Sequence, residues 1–97
     1  MRDHRKLRAF ELADRMALMA YRSTARFPVE ERFGLAQQIR KSAVSIPSNI
    51  VEGCARKGQA DYLRFLDIAF ASSRELAYQL SIAIRLGPLG GYLLVPG

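Results

Sequence analysis

Glycine and proline punctuation divides this chain into three long runs in which apolar residues recur at three-and-four spacing. No run alternates apolar and polar residues as a half-buried strand would, so the pattern restricts the fold to packed amphipathic helices. The first run predicts a helix from about Arg5 to Arg26. Phe10, Ala13, Ala17, Ala20, Tyr21 and Thr24 share one face, and Leu12, Met16 and Met19 widen it. Phe27-Pro28 ends this helix, because proline disfavours helical geometry in the residue before it and cannot donate to the preceding turn.

Pro28 also suits the first turn of a second helix beginning near Val29, with Glu30 and Glu31 favoured at its positive end. That helix is expected to run to about residue 57 through Phe33, Ala36, Ile39, Ala43 and Ile46. A kink or break is expected at Pro47, where one backbone hydrogen bond is lost. A third helix spans Gln59 to Leu86. Its broad face carries Tyr62, Phe65, Leu66, Ala69, Ser73, Leu76, Ala77, Leu80, Ala83 and Ile84, and Gly87-Pro88 stops it. Residues 87–97 are too rich in Gly and Pro for a fourth long helix, so an irregular tail is expected. The fold class is therefore all-α: one domain, an antiparallel up-and-down helical bundle. At 97 residues two separate cores would each bury too little surface.

Half of the residues are hydrophobic and a quarter charged, the balance of a globular chain rather than a disordered one. No run approaches the roughly 20 apolar residues that cross a bilayer, so no membrane partner is expected, and the N-terminus lacks the apolar stretch of a secretory signal. Cys54 is the only cysteine. It cannot form an internal disulfide and suits a reducing compartment, the cytoplasm, as a buried structural thiol. One His and one Cys do not make a zinc site, no phosphate loop follows a strand, and no nucleophile stands beside a base. Neither a metal, a cofactor nor an enzymatic role is expected.

The charge distribution is more informative. Residues 1–58 hold twelve basic and six acidic side chains, and residues 59–97 three of each, so the whole excess of +6 lies in the first half. At about 100° per residue, Arg8, Arg15, Arg22 and Arg26 fall within an arc of roughly 40°, nearly opposite the apolar stripe of the first helix. With Arg40 and Lys41 they are the candidate contacts to nucleic acid, since the planar guanidinium suits bidentate contacts to phosphate. On a single copy such a face is as readily an ordinary solvated surface. Symmetric assembly would repeat it into a continuous basic surface that binds in a salt-dependent way, largely indifferent to sequence. The other classes left open are an adaptor whose basic face docks an acidic protein and, less favoured, peripheral membrane binding, which would need the apolar face that the core uses.

The segment FPVEERFGLAQQIRKSAVSIPSNIVEG (Phe27 to Gly53), followed by FLDIAFASSRELAYQLSIAIRLG (Phe65 to Gly87), resembles the 23S rRNA intervening-sequence proteins, also called four-helix-bundle proteins. Phe27-Pro28, Phe33-Gly34-Leu35, Gln38-Ile39-Arg40, Ser45-Ile46-Pro47, Asn49-Ile50 and Glu52-Gly53 carry the likeness, which covers about Leu7 to Gly87. The resemblance implies a bundle that assembles into a ring, a pentamer, with a non-enzymatic role. It also relates the chain to accessory proteins of diversity-generating retroelements, which bind nucleic acid and a reverse transcriptase through a basic surface. Two departures stand out: Phe10 lies where the family commonly has Trp, and the chain leaves the family pattern after Gly87.

Overall fold

The computed structural model describes residues 2–92. It contains three α-helices: α1 (Arg8–Thr24), α2 (Leu35–Cys54) and α3 (Gln59–Leu86). Short 3-10 turns lie at His4–Lys6, Val29–Glu31 and Pro88–Gly90. The expected all-α architecture is observed. Helix α2 is central and packs against both α1 and α3, whereas α1 and α3 pack little against each other.

Pairs across the helices fix the directions. Ser42 Oγ donates to Glu75 Oε1 at 2.9 Å, the Ser45 and Ser72 hydroxyls lie 2.8 Å apart, and Gly53 packs against Phe65. Rising numbers on α2 thus meet falling numbers on α3, so the two are antiparallel, as the four-residue connection between them dictates. Likewise Arg40 of α2 meets Tyr21 and Thr24 of α1, while the Arg2 N–H donates to the Cys54 carbonyl at the opposite end. The order is up, down, up.

Small residues set the spacing. Helix α1 buries Ala13, Ala17, Ala20 and Thr24, and α2 answers with Ala36 and Ala43, so the two backbones approach closely. Ile39, Ile46, Ile50 and Cys54 form one cluster with Ala69, Leu76 and Ala83 of α3. A Cβ on Gly53 would fall 3.0 Å from the Phe65 Cβ, so the α2–α3 crossing requires the absence of a side chain there. Cys54 is a buried free thiol, in keeping with the structural role expected of it.

Several boundaries differ from the sequence expectation. The second helix does not begin near Val29: Pro28, Glu30 and Glu31 form only a 3-10 turn, and α2 starts after Gly34. The Glu31 carboxylate accepts from the Leu35 N–H at 2.8 Å and so caps α2 from a turn away, where Gly34 has no side chain to do it. In consequence Phe33 leaves the core stripe and is 82% exposed. Of the kink or break expected at Pro47, the break does not occur. Helical backbone continues through this residue with Ile46, Pro47 and Ile50 all buried, and their packing outweighs the one lost hydrogen bond. Helix α1 is shorter than expected at both ends, which leaves Arg26 in the turn beyond it. On α3 the bounds match, but Ala77 and Ile84 are exposed and Gln79 is buried in their stead. No helix is long and apolar enough to cross a membrane among the described residues.

After α3 the chain turns at Gly87 and Gly91, both at positive φ, and brings the Tyr92 ring edge-on to Phe27 at 5.1 Å. Burial pushes the Tyr92 phenol above its ordinary range, and its hydrogen bond to the Glu31 carboxylate pushes the same way. No fourth α-helix occurs among the described residues, and the last part of the expected irregular tail, residues 93–97, lies outside them.

The open arrangement leaves apolar flanks. Leu12, Met16 and Met19 on α1 are exposed, as are Leu63, Phe70 and Ile84 on α3. By helical spacing each set borders the face its own helix turns towards α2, on the side away from the outer contacts made by Tyr21 and Glu75. The two sets therefore flank the trough between α1 and α3.

Candidate nucleic-acid interface

The antiparallel order of α1 and α2 collects basic side chains at both ends of the pair, and their chemical settings differ. At the end where α1 starts and α2 finishes, most cations already have partners. Arg5 contacts Asp3 at 3.0 Å, Arg56 contacts Glu52 at 2.9 Å and Arg64 contacts Asp61 at 3.7 Å. Side-chain and backbone hydrogen bonds from Arg5 hold the Asp3 carboxyl below the usual carboxylate range. Arg2 lies over the Tyr62 ring at 3.7 Å, and Arg56 and Arg64 lie over Phe65 at 4.8 and 4.5 Å.

The expected arginine stripe crosses from this end to the other. Arg8 and Arg15 share one carboxylate, with Glu11 Oε1 2.9 Å from Arg8 Nη1 and 3.2 Å from Arg15 Nη2. The half of the stripe nearest the N-terminus therefore presents a net single charge. These pairs are exposed and contribute about 0–1 kcal/mol each, so a phosphate could compete for either guanidinium. Further along, Arg22 is exposed on the last turn of α1 and Arg26 in the turn after it. Neither is in an ion pair among the described residues.

At this second end α2 supplies Arg40 and Lys41, adjacent in sequence but different in setting. Arg40 Nε donates to Thr24 Oγ1 at 2.7 Å, its Nη2 donates to the Tyr21 carbonyl at 3.2 Å, and the guanidinium lies 4.7 Å from the Tyr21 ring centroid. It thereby ties α2 to the C-terminal turn of α1, whose carbonyl end favours a cation. Thr24 in turn donates to the Ala20 carbonyl at 2.7 Å, so the hydroxyl that receives Arg40 is itself fixed. Lys41 is exposed and unpaired among the described residues.

One cation at this end lies outside the sequence expectation. Arg32, exposed in the connection between α1 and α2, lines two adjoining hollows with Arg40. One is bounded by Thr24, Phe27, Pro28 and Ala36, the other by Tyr21, Phe33, Gln37 and Lys41. Helical periodicity could not reveal Arg32, because it falls in a turn. The sequence signal that could have found it is the run Glu31-Arg32-Phe33-Gly34, a charged and aromatic pair before a helix-breaking glycine. The structure thus places Arg22, Arg26, Arg32, Arg40 and Lys41 towards one end, none of them in an ion pair with a carboxylate among the described residues. Two acids share the connection: Glu31 is engaged by Leu35 and Tyr92, and Glu30 is exposed.

Such a group of guanidinium forks and one ammonium can bind anions, since no described carboxylate holds any of them in an ion pair. No three of His, Cys, Asp or Glu converge as metal ligands among the described residues.

A family model described as 23S rRNA-intervening sequence protein matches residues 5–90. No curated protein matches the chain.

Proposed function

The chain belongs to the 23S rRNA-intervening sequence protein family, and from that premise we propose that it is a non-enzymatic, homo-oligomeric helical bundle that binds structured RNA or DNA through a basic surface. The observation that carries this reading is the group of five cations at the α1–α2 end, Arg22, Arg26, Arg32, Arg40 and Lys41, that no described carboxylate neutralises. Arg8 and Arg15 extend the surface along α1 and release Glu11 when phosphate replaces it.

Assembly is part of the proposal, with a pentamer as the state. The flanks made by Leu12, Met16 and Met19 and by Leu63, Phe70 and Ile84 support it, since apolar surface of that extent on two helices is the kind that association covers. Rotation about a symmetry axis would repeat the basic end once per copy. A buried, solitary Cys54 accords with work in the cytoplasm.

Because the cations address the backbone and not base edges, affinity should follow phosphate density and not sequence. The check is a fluorescence-anisotropy titration of a labelled RNA hairpin alongside a scrambled hairpin of equal length. Dissociation constants within about threefold are expected. A tenfold preference for one sequence, roughly 1.4 kcal/mol, would replace this reading with base-specific recognition.

A further inference from the structure

Phe33 is the most exposed large apolar residue among the described residues, and it projects from the segment that carries the unpaired cations. We infer that Phe33 is a stacking platform for an unpaired nucleobase, with Arg32 and Lys41 holding the phosphates on either side of the stacked nucleotide. This rests on the nucleic-acid reading above and sharpens it: the favoured ligand is single-stranded or looped, not a continuous duplex.

Three observations support the assignment. First, the ring is presented on a braced backbone. The Gly34 N–H donates to the Glu31 carbonyl at 3.1 Å and the Leu35 N–H to the Glu31 carboxylate at 2.8 Å, so the residues on the helix side of Phe33 are both tied to one acid. Second, the ring is vacant. No aromatic ring or guanidinium packs on Phe33 among the described residues, in contrast to Phe65, which lies under Arg56 and Arg64, and Tyr21, which lies under Arg40. Third, the hollow beside the ring is lined by Tyr21, Arg32, Gln37, Arg40 and Lys41, with no carboxylate among them. Cations and an amide around an open phenyl face match the three parts of a nucleotide: phosphate, base edge and π surface. A duplex, with its bases stacked on one another, offers the phosphates but no free base face.

The chain contains no Trp, so Phe33→Trp introduces a single tryptophan at the ring itself, whose emission is excited selectively over that of tyrosine. At 82% exposure the position tolerates either Trp or Ala without loss of the core, which circular dichroism would verify. The experiment titrates an oligouridylate and a blunt RNA duplex of equal phosphate number against the full chain and Phe33→Ala by anisotropy, and follows Phe33→Trp by emission. Expected are quenching of the Trp by oligouridylate but not by duplex, and a loss of about tenfold in oligouridylate affinity for Phe33→Ala, the scale of one base–aromatic stack. Duplex affinity and both salt dependences should be unchanged. Oligouridylate binding that is salt-dependent but indifferent to Phe33→Ala would overturn the stacking role and leave the basic surface standing. Absence of binding to both probes would overturn the basic surface itself. A fall in native mass on Phe33→Ala would assign the ring to contact between protein copies instead.

Discussion

Replacing Arg22, Arg26, Arg32 and Lys41 together with glutamine should weaken RNA-hairpin binding by about 100- to 1,000-fold at 0.15 M salt. Each cation that neutralises a phosphate releases about 0.7 to 0.9 of a counterion, so removing four should also flatten the dependence of log K on log salt by about 3. The informative control removes three charges at residues that already contact carboxylates and are not among the proposed contacts: Arg5, Arg56 and Arg64. Loss of at most about tenfold is expected there, because a guanidinium bound to Asp or Glu must first give up that partner. Equal losses per charge removed in the two variants would mean that net charge alone, and not its placement at the α1–α2 end, governs binding. Arg40 is left in place because its hydrogen bonds to Thr24 and Tyr21 hold α1 on α2, so its removal would confound binding with folding.

Leu76→Ala should cost about 2–5 kcal/mol of folding stability, against a total of about 5–15 kcal/mol for a typical domain. Leu76 is 2% exposed and, with Ile39 and Cys54, is among the largest fully buried side chains. Removing it takes away the transfer energy of three carbons and leaves a cavity between α2 and α3 that helices spaced by Gly53 and Ala69 cannot readily close. Urea unfolding followed by helicity at one fixed protein concentration measures it, since assembly makes stability concentration-dependent. Leu18→Ala, 52% exposed on the outer side of α1, is the comparison and should fall within about 0.5 kcal/mol of the parent. Similar losses at both positions would contradict the packing described.

How legible this structure is in its sequence depends on the local signal. Helix α3 can be read to the residue because Gly58 precedes it and Gly87-Pro88 follows, so chain flexibility and a missing donor fall where the apolar period stops. The start of α2 is misread for a related reason. Proline followed by two acids is a helix-start signal, yet it nucleates only the Val29–Glu31 turn, and Gly34 resets the backbone before α2 begins. That shift of a few residues rotates Phe33 from core to solvent. At Pro47 the sequence leaves a kink or a break open, because the local cost of a proline is visible there and the packing that keeps α2 continuous is not.

The site divides in the same way. Spacing alone locates Arg22 on the outer face of α1, since period and exposure go together on a helix. It could not show that Glu11 spans Arg8 and Arg15, although the three-and-four offsets permit that. Still less could it show that Arg40 turns inward, because its partners Tyr21 and Thr24 lie on another helix and meet it only once α1 and α2 pair. Arg32 depends on the turn geometry, which no periodicity encodes.

The most direct measurement is the affinity of the intact protein for a labelled RNA hairpin from 50 to 500 mM salt. A straight line in log Kd against log salt, with a slope of magnitude about 3 or more, is expected of a surface that displaces counterions at several unpaired cations. No binding at 50 mM, or an affinity that does not change with salt, would contradict a nucleic-acid-binding role for the basic end.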